Sequence, residues 1–328
     1  MRAIHPNMMS NQTELTGTLK MSERLLIIKL GALGDFILAF GAMKRIRATY
    51  PKAHITLLTA APFATLIEGS GWIDQIWIDP KPSWRSLGKW WAIRRMIRGG
   101  RFTRVYDLQN NDRTACYFRL CGPFGRPEWS GLVQGCSLQF SPPTPLTHAF
   151  DWPTTQLVQA GLEPPEPPDA SWMGGDVDHL SLPENFVLLV PGCAPHRPEK
   201  RWPAASYLAL ARRLAMRGLT PVLIGTQSEA DVNRMIAQEC PQALDVTGQT
   251  RLLDLATLGR RARGAVGNDT GPMHLIAPSG CPTVVLFSAA SNHQTCRPLG
   301  PIVRTLHRSS LADLAVEDVE NELMSATR

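Results

Sequence analysis

The chain has 328 residues, 44% hydrophobic and 19% charged, with a formal net charge of +6. That is room for two ordinary domains, too apolar for a disordered chain, and without any apolar run near the ~20 residues of a membrane span. The seven cysteines are scattered with no C-x-x-C pair, which speaks against a disulfide framework or a zinc site and for reduced thiols in the cytoplasm.

In chain order, residues 1–22 are polar and lack a signal-peptide core. They are expected to form a flexible tail, with Met21 a candidate for the true start. "RLLIIKL" from Arg24 reads as a strand, followed by a glycine-spaced loop and an amphipathic helix from about Asp35 to Thr49. "HITLLTA", "QIWID" and "RVYDLQ" read as further strands. Strands alternating with helices argue a parallel sheet covered by helices. "GLEPPEPPDASW" at 161–172, dense in proline and acid, marks an interdomain linker, bounded here as 163–182. The pattern then restarts with strands "NFVLLVPG", "TPVLIG", "GAVGND" and "PTVVLF", separated by the helices "PAASYLALARRLAMRG", "EADVNRMIAQEC", "LLDLATLGRRA" and "GPMHLIAPSG". The expected architecture is α/β, two doubly wound Rossmann-like halves, 23–162 and 183–328. Ligands in such sheets sit at the carboxyl ends of the strands, so the site is expected in the cleft between the halves.

Charge is unevenly divided. Residues 1–170 carry 19 Lys and Arg against 13 Asp and Glu, and residues 171–328 carry 15 of each. A basic first half suits an anionic partner.

The first loop, "LGALGD", is spaced G-x-x-G-D and not as the dinucleotide fingerprint. The second strand ends on Thr59 and small residues, with no acid for a ribose. A carboxylate at a helix start also repels a phosphate competing for the same amides. Asp35 therefore has two readings. It is an N-cap, worth about 1 kcal/mol, or a general base aimed into the cleft. An ordinary aspartate titrates near ~3.9 and is ionised at neutral pH, ready to accept a proton from an attacking sugar hydroxyl.

Three loops follow strands in the second half. "PGCAPHRPEKRWP" carries Arg197, Lys200 and Arg201 before a helix, "GTQSEAD" leads with Glu229 into another, and "GNDTGPMH" sets Thr270 and Gly271 before Pro272. Proline suits a first helical turn, and free N–H groups beside a glycine suit a diphosphate. Lys200 can reach the same phosphates as a point charge. Each loop has a plain alternative. The cations can be solvated, Asp269 can cap its helix, and His274 can be a hydrogen-bonded core histidine.

Seven segments occur in order between about Arg24 and Pro298: "LGALGD", "DLQNNDRTA", "PGCAPHRPEKRWP", "VLIGTQSE", "DVTGQTRLLDLATL", "VGNDTGPMHLIAPSG" and "PTVVLF". On these the chain resembles the glycosyltransferase family 9 proteins, the ADP-heptose:lipopolysaccharide heptosyltransferases. The resemblance implies a GT-B fold and an inverting transfer with no cofactor and no metal. It implies an ADP-sugar donor held by the second domain. The acceptor on the first domain would be lipopolysaccharide core or another anionic glycolipid. Asp35 matches the family's catalytic base and Lys200 the lysine on the donor phosphates, where it also stabilises the leaving group. Glu229 matches the acid on the ribose, and Asp269, Thr270 and Gly271 the motif at the donor sugar and diphosphate. Gly192, Gly225 and His274 fall with them on the donor side, Gly34 and Arg113 on the acceptor side. The implied place of work is cytoplasmic, peripheral at the inner face of the bacterial inner membrane. Two positions depart from the pattern: Pro278 interrupts the donor helix, and Ser288 replaces a glycine after the last strand.

Residues 81–104, "KPSWRSLGKWWAIRRMIRGGRFTR", hold eight basic residues, three tryptophans and no acid. The segment is either a solvated helix with tryptophans packed on the domain or a patch touching the inner leaflet. No nucleic-acid-binding motif appears, so no nucleic-acid partner is expected. Three other functions stay open at this level. They are a transferase using another sugar nucleotide or cell-surface glycan, a nicotinamide-dependent oxidoreductase, and a sugar-nucleotide-binding module without activity.

Overall fold

The structure is a computed structural model that describes residues 23–83, 85–144 and 146–327. The expected tail (1–22) and Trp84 lie outside the described residues.

Among the described residues the strands form two six-stranded parallel sheets. The first contains β1 (Arg24–Ile28), β2 (His54–Thr59), β3 (Gln75–Ile78), β4 (Arg104–Asp107), β5 (Glu128–Gly131) and β6 (Leu138–Gln139), in the spatial order β3-β2-β1-β4-β5-β6. The second contains β7 (Phe186–Val190), β8 (Thr220–Leu223), β9 (Leu244–Asp245), β10 (Gly264–Asn268), β11 (Thr283–Phe287) and β12 (Val303–His307), in the order β12-β11-β10-β7-β8-β9. Read from its own first strand, each sheet runs 3-2-1-4-5-6, the doubly wound order whose direction reverses between the first and fourth strands. Those switch points fall at β1/β4 and β7/β10, and the loops leaving these four strands carry most of the candidate residues.

The helices are α1 (Leu33–Leu38), α2 (Phe40–Thr49), α3 (Ala61–Ile67), α4 (Leu87–Gly99), α5 (Asp112–Leu120), α6 (Asp151–Gln159), α7 (Ala204–Met216), α8 (Ala230–Glu239), α9 (Leu252–Arg261), α10 (Gly271–Ile276), α11 (His293–Cys296) and α12 (Val316–Ala326). The central strands β1, β7, β10 and β11 are buried on both faces, which explains their continuous apolar runs. The outer face of each sheet has its own apolar cluster. A third cluster runs without a break from Phe36, Phe40 and Leu66 on the first half to Met273, Leu275 and Val190 on the second.

Three local expectations change. The helix expected from Asp35 to Thr49 starts two residues earlier and divides at Ala39, whose N–H reaches Phe36 O in a tight three-residue turn. Asp35 is thereby the third residue of α1, not its N-cap; that position belongs to Ala32, which has no side-chain acceptor. At Pro278, one of the two departures from the family pattern, α10 is not kinked but ends, leading into a 3-10 turn closed by Gly280 at φ +102°.

Residues 163–182 run between the halves and are tied to both. Lys44 and Arg45 of α2 pair with Glu166 and Glu163, Ala170 N donates to Pro278 O, and Gly175 exchanges two hydrogen bonds with Thr257 of α9. Trp172 packs against Phe40 and Trp72 of the first half.

Candidate active site

The two switch points face each other, and α1 meets α10 at the seam. A Cβ on Gly34 would stand 2.9 Å from Cδ2 of His274, and one on Gly271 would stand 2.9 Å from Cδ2 of Leu33. Glycine at both positions lets the two helix starts touch. A second crossing lies alongside, where Ala149 N donates to Thr295 O at 2.8 Å and His148 Nε2 lies 2.8 Å from Arg297 O.

On the first half, Asp35 is exposed and lines a cavity of about 220 Å³ with Lys29, Gln109, Asn110 and Trp152. Lys29 was not singled out by the sequence. It directly follows β1 and is 8% exposed, and Nζ donates to Leu108 O at 3.0 Å. Burial pulls its ammonium below the ordinary lysine value, against the attraction of Asp35 and then Asp107. Asp107, fully enclosed at the end of β4, is pushed up to about 6 by burial, with hydrogen bonds from Thr114, Asn110 and Gln109 and the charge of Lys29 acting in the opposite sense. Gln156 of α6 locks this wall. Its amide donates to Asp107 O and Ser130 O and accepts from Asn110. Gln109 in turn accepts from Leu30 N at 2.8 Å, joining the loops after β4 and β1.

On the second half, Lys200 and Asp269 form an ion pair, Nζ to Oδ2 at 2.6 Å, with side-chain exposures of 18% and 8%. Asp269 therefore does not cap α10; Thr270 holds the N-cap position, with no side-chain cap bond. Asn268, fully buried, fixes the geometry by accepting from Trp202 N and Tyr207 Oη and donating to Pro191 O. His274 is 7% exposed, and among the described residues its Nδ1 has no hydrogen-bond partner, so it is buried as a core histidine is but without the bond at Nδ1 that the alternative reading would supply. Burial lowers its pKa to about 4, with the charges of Asp269 and then Asp35 pulling the other way.

Beside this centre lies a cavity of about 450 Å³ with apolar walls from Val190, Ile224, Leu252 and Leu255 and a polar end at Thr226 and Glu229. It accounts for the "TRLLDL" segment, of which Leu252 and Leu255 line the cavity. Glu229 accepts from Thr226 N, Thr226 Oγ1 and Ser228 Oγ. Burial would raise its pKa, but these bonds outweigh it and hold the carboxyl below the usual glutamate value. Gly192 and Gly225 make room for it: a Cβ would come within 2.6 Å of Glu229 Cγ at the first and 2.8 Å of Glu229 Cβ at the second.

The fold thus gathers Gly34, Asp35, Lys200, Asp269, Gly271 and His274 at one seam, with Gly192, Gly225, Glu229 and Thr270 in the adjoining pocket. Arg113 stands apart. It pairs with buried Asp79 at 3.2 Å and lines a separate cavity of about 530 Å³ with Gly31, Ala32 and Lys81. Among the described residues no cluster of three or more His, Cys, Asp or Glu is placed to hold a metal ion.

A family model described as glycosyltransferase family 9 (heptosyltransferase) matches residues 147–323, more than half the chain. The chain belongs to glycosyltransferase family 9. It is therefore a transferase of heptosyltransferase type, which sets aside the oxidoreductase reading. Among curated proteins, lipopolysaccharide heptosyltransferase 2 of Escherichia coli K12 is 24% identical over 293 residues, covering 82% of this chain and 83% of the relative. Among solved structures, a glycosyl transferase family 9 protein from Veillonella parvula superposes with a TM-score of 0.82 at 20% identity, over 93% of this chain and 97% of that one. E. coli ADP-heptose lps heptosyltransferase II gives 0.75 at 20% identity, over 93% and 98%. The likeness to these structures establishes the GT-B fold.

Proposed function

We propose that the protein transfers heptose from ADP-heptose to the inner core of lipopolysaccharide with inversion, Asp35 acting as general base. The observation that carries this is the seam, where a carboxylate on one switch point faces a lysine and a nucleoside-sized pocket on the other. The relatives add to it: curated ones are named lipopolysaccharide heptosyltransferases, and E. coli heptosyltransferase WaaC is described with ADP.

In this reading residues 23–162 bind the acceptor and 183–328 the donor, joined by 163–182. The adenosine lies in the 450 Å³ cavity with its ribose hydroxyls on Glu229. The diphosphate meets Lys200 and the amides of Thr270 and Gly271, and the sugar lies toward Asp269 and His274. The acceptor hydroxyl enters the cavity of Asp35, and Arg113 meets acidic groups farther along the acceptor. As the hydroxyl oxygen bonds to the anomeric carbon, its proton passes to Asp35 and the anomeric C–O bond breaks. The electrons go to the β-phosphate of departing ADP, whose charge Lys200 stabilises. A lipid-linked acceptor places the work at the inner face of the inner membrane, although among the described residues no helix is long and apolar enough to cross one.

The test is a thermal-shift series with ADP, UDP, GDP, dTDP and NAD, followed by transfer from the matching sugar nucleotide to a lipid acceptor. A ligand at ~100 times its Kd adds about 2.7 kcal/mol. A shift with ADP alone, and transfer lost in Asp35→Asn with ADP affinity kept, support the reading. A shift with UDP instead moves the donor to another sugar nucleotide. Full transfer by Asp35→Asn removes the base assignment.

A further inference from the structure

The basic segment resolves into a surface whose parts the cleft does not use. Helix α4 buries Ile93 and Ile97. Trp90 is half-buried against Tyr117, and its indole N–H donates to Ser83 O, so it serves packing. Leu87, Trp91 and Arg95, spaced four residues apart, share the opposite side of the helix. Leu87 is 73% and Trp91 66% exposed, and the Arg94 guanidinium lies 5.1 Å over the Trp91 ring.

Beside them runs the loop after α5. Arg94 donates to Leu120 O and Arg98 to Cys121 O, which fixes this loop against α4. Its tip is Phe124, 83% exposed, between two glycines of positive φ at 122 and 125. On the other flank a groove of about 710 Å³ opens between α4 and the β3 edge, lined by Trp77, Trp91, Arg24, Arg95 and Met96. Residues 81–104 contain no acid, and neither do residues 113–127, which add three arginines. One face of the first half therefore combines exposed apolar side chains with an excess of cations, although Arg104 at its edge pairs with Glu128.

We propose that the outer face of α4 together with the Phe124 loop docks the protein on an anionic lipid bilayer. Tryptophan and phenylalanine enter the interface while arginine and lysine meet the headgroups, the division of labour of interfacial helices. Charge complementarity selects the partner, and exposed Leu87 and Phe124 favour lipid over nucleic acid, since a phosphate backbone gains nothing from a leucine. The placement also fits the cleft. Helix α4 starts from the carboxyl-end side of the first sheet, where Lys81 borders the cavity of Gly31, Ala32 and Arg113. A docked enzyme thus presents its acceptor side next to the headgroups.

The experiment is co-sedimentation of the whole protein with vesicles of phosphatidylglycerol and phosphatidylethanolamine, and with phosphatidylcholine alone. Each basic residue near an anionic surface changes partitioning about fivefold, so Lys89→Glu/Arg95→Glu should lower it by more than tenfold. Trp91→Glu/Phe124→Asp should lower it comparably and leave ADP binding unchanged, because neither residue touches the cleft. Binding should weaken between 0.1 and 0.5 M salt, by roughly the loss of screening-sensitive attraction. Equal sedimentation with both vesicle types, or anionic binding unaffected by either pair, overturns the proposal. So does displacement from vesicles by a single-stranded oligonucleotide whose own binding ignores Trp91→Glu/Phe124→Asp. The sedimentation reads this surface whichever sugar the enzyme transfers.

Discussion

Gly34→Ala places one methyl group at the seam between the halves. The backbone of Gly34 is not among those of positive φ, and alanine inside a helix by itself favours the fold by up to ~1 kcal/mol. The new Cβ would lie 2.9 Å from Cδ2 and 3.0 Å from Nε2 of His274. Carbon contacts settle at ~3.5–4.0 Å, so α1 and α10 must part by roughly 0.5–1 Å. His274, 7% exposed, has little space to swing aside. Asp35 is the next residue and moves with the displaced turn. A misplacement of ~1 Å costs about 10²-fold in rate, equivalent to ~2.7 kcal/mol of transition-state stabilisation. The 450 Å³ cavity proposed for the nucleoside is lined wholly by the second half, so ADP affinity should stay within about twofold, far below the rate loss. Steady-state transfer kinetics beside calorimetric ADP titration separate the two quantities. Turnover within threefold of wild type, or a loss of ADP affinity matching the loss of rate, would refute the reasoning.

Lys200→Met strands Asp269, whose side chain is only 8% exposed, and should cost about 2–3 kcal/mol in chemical denaturation, the low side of a buried-pair loss because Lys200 keeps 18% exposure. Adding Asp269→Asn should recover the stability but not ADP affinity, which calorimetry should find at least about tenfold weaker for the loss of a charge-assisted phosphate contact. Lys29→Met removes a charge held below its ordinary lysine value by burial. Thermal unfolding should be unchanged or improved while transfer falls about tenfold, the loss of roughly one charge interaction at the Asp35 cavity. Because folding weakens proton binding at Lys29, wild-type stability should rise with pH toward the lysine range, and the variant should lack that rise. His274, lowered to about 4, should show no ring titration between pH 5 and 8 by nitrogen NMR, and its contribution to stability should be lost as pH falls from ~6.5 toward 4. A midpoint near the ordinary histidine value would place it outside the seam.

The central strands were legible because β1, β7, β10 and β11 are buried on both faces and must be continuous apolar runs. The two-residue strands β6 and β9 were not, since pairing with a neighbour and not composition makes them strands. Loop chemistry was legible by type: a lone acid in one loop, cations in another. What the types did not reveal was who holds whom. Lys200 and Asp269 are 69 residues apart and meet because β7 and β10 are neighbours. Lys29 is not legible because a lysine closing a strand looks like one turning to solvent; its burial depends on the loop after β4, where Leu108 O accepts from its Nζ. The "GND" triplet offered a trace of Asn268, but its side-chain partners, Trp202, Tyr207, Pro191 and Gly192, come from other loops and helices. Arg113 was found by position, while its pairing with Asp79 depended on the turn after β3.

The two sheets repeat one strand order, so the fold alone would allow either switch point to take the phosphates. In the proposed reading the loops distinguish them. In the first, a carboxylate in the opening turn of α1 disfavours an anion at the helix start and leaves, on the proposed reading, a base near the buried Lys29. In the second, Asp269 fixes Lys200 but uses only one of its three donors, leaving two to reach outward. The neighbouring negative charge lowers what Lys200 can gain from a phosphate. In exchange the ammonium is already placed, and no side-chain freedom is lost when an anion arrives. The same pair explains why the glycines at the seam matter more than their size suggests. On the proposed reading the base lies on one half and the fixed cation on the other, so the contact of α1 with α10, beside the crossing at Ala149 and Thr295, positions the reacting atoms. Gly34 and Gly271 set how close that contact is.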